Sequence, residues 1–111
     1  MKKIIKVEKG SEFQEHVLDY YGKALVSFYN SSGSCKDILR TFEIILDELN
    51  ISNIDNINLV IVNVQTLENI ARDFNVMYVP SVLIFDNGKL KDSVIGVVTK
   101  TEILTRLKNV Q

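Results

Sequence analysis

Cys35 is the only cysteine of the chain, and it has the best claim to chemistry. It closes the stretch Val26-Ser27-Phe28-Tyr29-Asn30-Ser31-Ser32-Gly33-Ser34-Cys35, which reads as an apolar strand, a short Ser/Gly loop and the mouth of a long amphipathic helix. A thiol in the first turn of a helix faces unpaired backbone N–H groups and the positive end of the macrodipole, a setting that suits thiol chemistry. The position three residues earlier, where a second thiol would complete a redox pair, is Ser32. One thiol alone carries exchange only as far as a mixed disulfide with a partner. The alternative is a small buried cysteine that packs and does not react. His16 is the only histidine, so imidazole catalysis would rest on it alone. It falls beside the apolar stripe Phe13, Val17, Tyr20/Tyr21 and reads as a partly exposed surface residue. One histidine and one cysteine do not make a protein metal site with the usual three or four ligands.

The elements that must position Cys35 are set by periodicity. Ile4 to Val7 is a short β-branched run that predicts a first strand. Ser11-Glu12-Phe13-Gln14 reads as a capping box ahead of a helix, with Gly22 as its left-handed C-terminal residue. Ala24 to Tyr29 is apolar enough for a central strand. From Lys36 onward Ile38, Leu39, Phe42, Ile45, Leu46 and Leu49 form one wide apolar helical face. A loop of Asn50, Ser52, Asn53, Asp55 and Asn56 comes next, with Ile51 and Ile54 expected to tuck beneath it. Leu59 to Val64 is the near-continuous run of a strand covered on both faces. Thr66 is placed to cap a helix carrying Leu67, Ile70, Ala71 and Phe74, closed by Asn75. Ser81 to Phe85 is a strand, Asp86-Asn87-Gly88-Lys89 a tight hairpin, and Leu90 to Ile95 its antiparallel, lysine-bearing edge partner. Gly96 breaks the chain before a last helix, Thr101 to Asn109, that buries Ile103, Leu104 and Leu107. The order βαβαβα then ββα predicts a single α/β domain with a mixed sheet and helices on both faces.

Composition narrows the partners. At 111 residues, with 13 basic and 14 acidic side chains, the chain has no basic footprint for nucleic acid. No apolar run approaches the roughly 20 residues of a membrane span. Lys6 and Glu8 interrupt the apolar start, so a signal peptide is not expected. A lone cysteine excludes an internal disulfide and is consistent with a reducing cytoplasm.

The element order resembles that of thioredoxin, and so do several motifs. These are the strand running into Ser32-Gly33-Ser34-Cys35-Lys36, Val79-Pro80-Ser81, Phe85-Asp86-Asn87-Gly88 and Val94-Ile95-Gly96. The resemblance covers essentially the whole chain. It implies the thioredoxin fold, a central five-stranded mixed sheet flanked by four helices. It also implies that Ser32 to Cys35 occupies the place of Cys-x-x-Cys, with Cys35 as the resolving, more buried thiol. Pro80 then corresponds to a cis proline facing that pair, with neighbouring backbone left to pair with a bound strand. The loop Ile95-Gly96-Val97 completes a shallow groove for extended polypeptide, lined by Gly33, Ser34, Val79, Pro80, Ile95 and Gly96. This chain departs from the pattern. Ser32 replaces the attacking cysteine, Ser27 the buried acid beneath the pair, Ile61 a lysine often found near it, and Ser31 the aromatic residue before the motif. The loop between Phe28 and Cys35 is one residue shorter.

The resemblance implies a protein of thiol–disulfide exchange and redox homeostasis with at most monothiol chemistry at Cys35. Its partners would be an extended protein or peptide, or glutathione, and no cofactor is called for. A second reading keeps the groove as a non-catalytic polypeptide-binding module. A third is a Cys35-based peroxidase, since Ser32-x-x-Cys35 is similar to the Thr-x-x-Cys of peroxiredoxins. The proline of that motif would fall at Phe28, and the chain is short for that family. A fourth is an ordinary dithiol protein whose first cysteine has been replaced by Ser32; the loss of the acid at Ser27 favours a natural change instead.

Overall fold

The computed structural model describes residues 2–96 and 98–110, with residues 33 and 34 described by their backbone alone. Apolar runs become strands and apolar stripes become helix faces. The elements are β1 (Ile5–Val7), α1 (Gly10–Phe13) continuing into a π-helical turn (Gln14–Leu18), β2 (Lys23–Tyr29), α2 (Gly33–Ile51), β3 (Ile57–Asn63), α3 (Glu68–Asp73), β4 (Ser81–Asp86), β5 (Lys89–Ile95) and α4 (Lys100–Asn109). The sheet order is β1-β3-β2-β4-β5. β3 runs parallel to β1 and β2, while β4 is antiparallel to β2 and β5. β2 thus lies at the centre, which is why its residues from Ala24 to Phe28 are all buried.

Alternation along β2 divides the interior in two. Leu25 faces a layer built from Ile38, Phe42, Ile45 and Leu49 of α2 with Ile103 and Leu107 of α4. Ala24, Val26 and Phe28 face the other layer with Phe13, Val17 and Ala71. Phe13 is the hinge of that second layer, its ring 5.7 Å from Phe74 and 6.1 Å from Phe85. Each such buried aromatic contributes about 1.5–3 kcal/mol of burial energy. Arg106 fastens α4 to β5 through Asp92 at 3.1 Å, and Glu102 at 2.8 Å completes the triad. Its guanidinium is held charged beyond its ordinary range, first by the Glu102 hydrogen bond and then by Asp92.

The expected hairpin forms, with Asn87 and Gly88 both in the left-handed region (φ 51° and 81°). Asn75 closes α3 in the same conformation, as its position implies. Several local expectations are corrected. α1 starts earlier than Ser11: Lys9 is the N-cap and Glu12 accepts from the backbone N–H groups of Glu8 and Lys9, both at 2.9 Å. The apolar stripe ends at Val17, because the helix stops at Leu18 and Tyr21 is 89% exposed. Gly22 does not cap that helix; it takes φ 142° just ahead of β2, where a Cβ would lie 2.6 Å from the Asn56 carbonyl oxygen. α2 runs through Asn50 to Ile51, and Ile51 and Ile54 point outward instead of tucking under the loop. Leu67, not Thr66, precedes the first turn of α3.

Candidate functional site

Register brings the expected site residues to one end of the sheet. Phe28 pairs with Ser81 and Ser81 with Ile95, so Tyr29, Pro80 and Gly96 come next in line at that end. It is also the carboxyl end of β2 and β3, where Tyr29 pairs with Asn63, the usual place for a site in an α/β sheet. The short loop Asn30–Ser32 leads from β2 directly into α2, and Gly33 and Ser34 are the first two residues of that helix.

Cys35 sits in the first turn of α2, only 1% exposed. Its N–H donates to the Ser32 carbonyl at 3.2 Å. Around Sγ are the Asn30 backbone N–H at 3.4 Å and the Ser32 hydroxyl at 3.5 Å, both as donors, and Asn30 Oδ1 at 3.6 Å as acceptor of the S–H. Asn30 Oδ1 also accepts the Ser32 backbone N–H at 2.8 Å, an Asx turn that folds the loop over the thiol. Ser31 and Ser32 are exposed. Sequence reasoning passed over Asn30; the signal for it was an Asx residue two positions before the exposed serine of the loop.

On β2, Ser27 is fully buried and its Oγ has no hydrogen-bond partner among the described residues. It shares the α2 face of β2 with Leu25 and lies between Ile61 of β3 and Val82 of β4. The surroundings of Ser27 are therefore apolar and un-ionised, with an isoleucine on one side and a valine on the other.

At the same end of the sheet lies the Val79–Pro80 segment, whose peptide bond is cis. Pro80 is buried and Val79 half-buried against the Phe13 layer. The Gly96 N–H donates to the Pro80 carbonyl at 2.8 Å, and Ser81 Oγ to the Tyr78 carbonyl at 2.5 Å. Those two carbonyls are already engaged, whereas the Val79 backbone makes no hydrogen bond among the described residues. Val97, the expected last member of the groove, lies outside the described residues. Near that segment Met77, Tyr78 and Ile95 are 80%, 64% and 65% exposed, rimming a hollow of about 110 Å³ with Phe74 and Leu83 at its base. Composition had not singled out Met77 and Tyr78. His16 lies on the π-helical turn, half-exposed and 3.8 Å from the Glu15 carboxylate, and takes no part in this arrangement. Among the described residues no helix is long and apolar enough to cross a membrane.

Comparison with known proteins bears directly on this geometry. The family model described as Thioredoxin matches residues 4–109. A thioredoxin of Griffithsia pacifica is 32% identical over 88% of this chain and 87% of its own. Thioredoxin M5, chloroplastic, of Oryza sativa subsp. japonica is 36% identical over 80% of this chain, which spans half of that longer protein. A chain from a study of the thiol resolving mechanism in yeast mitochondrial 1-Cys peroxiredoxin via glutathione/thioredoxin systems superposes with a TM-score of 0.81. It covers 96% of this chain and 95% of that one at 19% identity, a likeness of fold. The five-stranded mixed sheet and four helices are those of the thioredoxin fold. A match that begins before β1 and ends with α4 leaves no element unaccounted for, and the chain belongs to the thioredoxin family of redox proteins.

Proposed function

We propose that this protein is a monothiol member of its family, working in a reducing compartment on extended polypeptides and on glutathione through Cys35. What carries the reading is the placement of two donors, the Asn30 N–H and the Ser32 hydroxyl, on the sulfur of the only thiol. Donors so placed stabilise charge that develops on sulfur during exchange. Cys35 attacks one sulfur of a disulfide, a new S–S bond forms as the old one breaks, and the departing thiolate takes up the proton. Ser32 has no sulfur to offer, so release requires a second thiol from outside, and glutathione supplies one. The groove formed by Ser32, Gly33, Ser34, Val79, Pro80, Ile95 and Gly96 holds the polypeptide partner. Incubation of the native protein with glutathione disulfide is expected to add one glutathionyl group at Cys35, removed by excess glutathione and absent in Cys35→Ser. A native protein that stays unmodified while the denatured chain reacts would overturn the reading.

The 1% exposure of Cys35 beside the open apolar rim of Met77, Tyr78 and Ile95 favours a second reading, a binding module without chemistry. It expects partner capture to survive Cys35→Ala and to fail on Pro80→Ala.

A further inference from the structure

One oxygen atom holds both the cover and the proton of the thiol. Asn30 Oδ1 accepts the Ser32 N–H at 2.8 Å and the Cys35 S–H at 3.6 Å, which a carboxamide oxygen with two lone pairs allows. Asn30 is not among the residues the family resemblance assigns to the site. We propose that Asn30 is a positioning residue that keeps the single thiol closed, and that exchange at Cys35 requires its carboxamide to release the loop. This clasp rests on the monothiol reading of Cys35 and adds its regulation.

Steric and chemical grounds agree. Cys35 is 1% exposed as a residue, and Asn30 and Ser32 are hydrogen-bonded to its sulfur, so the sulfur of a disulfide reaches Sγ once the segment Asn30–Ser32 moves. That segment is exposed at Ser31 and Ser32, and its tie to Asn30 is the 2.8 Å bond from the Ser32 N–H. The S–H donates to Oδ1 only while the sulfur is protonated. Once Cys35–SH reacts with R–S–S–R to give Cys35–S–S–R and R–SH, the proton has left with the departing thiol and that arm of the clasp is gone. The mixed disulfide therefore holds the loop by one arm fewer than the free thiol does, so the loop opens more readily to the second thiol.

The full chain is treated with a neutral aromatic disulfide, 2,2′-dithiodipyridine, at fixed pH, comparing wild type, Asn30→Ala and Asn30→Asp. Asn30→Ala is expected to react about tenfold faster, the effect of losing about 1.4 kcal/mol of closure. Asn30→Asp keeps an acceptor oxygen at the same place and adds a negative charge beside the sulfur, which opposes thiolate formation, so it is expected to react no faster than wild type. Because the protein has one thiol, its S–H stretching band in the infrared reports Cys35 alone. The band is expected to move to higher frequency in Asn30→Ala and to lie at or below the wild-type frequency in Asn30→Asp, whose carboxylate is the stronger acceptor, a response that a merely structural role for Asn30 does not produce. Should Asn30→Ala lose its native circular dichroism, Ser32→Pro carries the same decision. It deletes the Ser32 N–H at a residue whose φ of −68° proline adopts, together with the hydroxyl, so Ser32→Ala is its reference, and exchange faster than in Ser32→Ala is expected. Equal rates for wild type and the clasp variants, or an unmoved S–H band, overturn the proposal. A wild type that exchanges as fast as Asn30→Ala rejects the clasp and leaves the monothiol function standing. A wild type inert to disulfides with a reactive Asn30→Ala supports the clasp and rejects the function.

Discussion

At the scale of single residues, the site is defined as much by Ser27 as by Cys35. A buried hydroxyl without a partner costs about 1–3 kcal/mol of desolvation, and replacing it by an apolar group is close to neutral or stabilising. Ser27→Ala is therefore expected to leave stability unchanged or to raise it by up to about 1 kcal/mol. Ser27→Asp, which puts a carboxylate between Ile61 and Val82 with no partner supplied, is expected to lower it by several. Urea midpoints with unchanged slopes would measure both; a loss of more than about 1 kcal/mol on Ser27→Ala would mean that the hydroxyl is hydrogen-bonded in solution. Cys35 was legible as a thiol at a helix start from the pattern of strand into loop into helix, whereas Ser27, Ser32 and Pro80 were singled out through the family resemblance. Asn30 was not. Its role comes from closing a loop onto a thiol five positions away, which no periodicity records. The exposure of Met77 and Tyr78 was equally hidden, since an apolar residue before a strand looks the same whether it faces in or out.

At the scale of elements, the β4–β5 hairpin is what returns Ile95 and Gly96 to the end of the sheet that holds the candidate site, although its turn lies at the far end. Gly88 has φ 81°, and a Cβ there would collide with the Leu18 carbonyl. Gly88→Ala is expected to cost at least about 1–3 kcal/mol from backbone strain, with a further loss from displacement of the π-helical turn. Asn87 adds a tie of its own: Oδ1 accepts the Gly22 N–H at 2.9 Å and the Asn87 N–H donates to the Gly22 carbonyl at 2.9 Å. A denaturation midpoint for Gly88→Ala equal to that of wild type would refute this account. The hairpin was readable from Asn-Gly alone, because two consecutive left-handed residues have few sequence solutions. The start of α1 was not. Ser11 and Glu12 are both capping types, and the carboxylate of Glu12 reaches the N–H groups of Glu8 and Lys9 without any help from Ser11. The outward turn of Ile51 and Ile54 escaped as well: α2 continues past its last core contact at Leu49, and the residues beyond it have no layer left to enter.

At the scale of the molecule, α2 joins a weakly held end to a strongly held body. Ile38, Phe42, Ile45 and Leu49 are locked between the sheet and α4, whereas the first turn carrying Cys35 leans on the loop Asn30–Ser32. Opening free energies differ along such an element, from near zero at lightly packed segments to the global value in the core. A domain of this kind has a total stability of about 5–15 kcal/mol. If Cys35 reacted only from the unfolded chain, its rate would be depressed by that whole amount and would climb with urea along the full unfolding slope. Local opening at Asn30–Ser32 exposes little surface, so the rate of Cys35 with a neutral disulfide is expected to be nearly flat in urea up to the foot of the unfolding transition. Phe42→Ala separates the two routes further. Removing that fully buried ring is expected to cost about 3–5 kcal/mol of global stability. Reaction through global unfolding would then accelerate by more than about a hundredfold at zero urea, each 1.4 kcal/mol being a factor of about ten. Reaction through the loop leaves the rate within about threefold of wild type, because Phe42 packs about two turns inside the helix and has no part in the hydrogen-bonded clasp of Asn30 and Ser32.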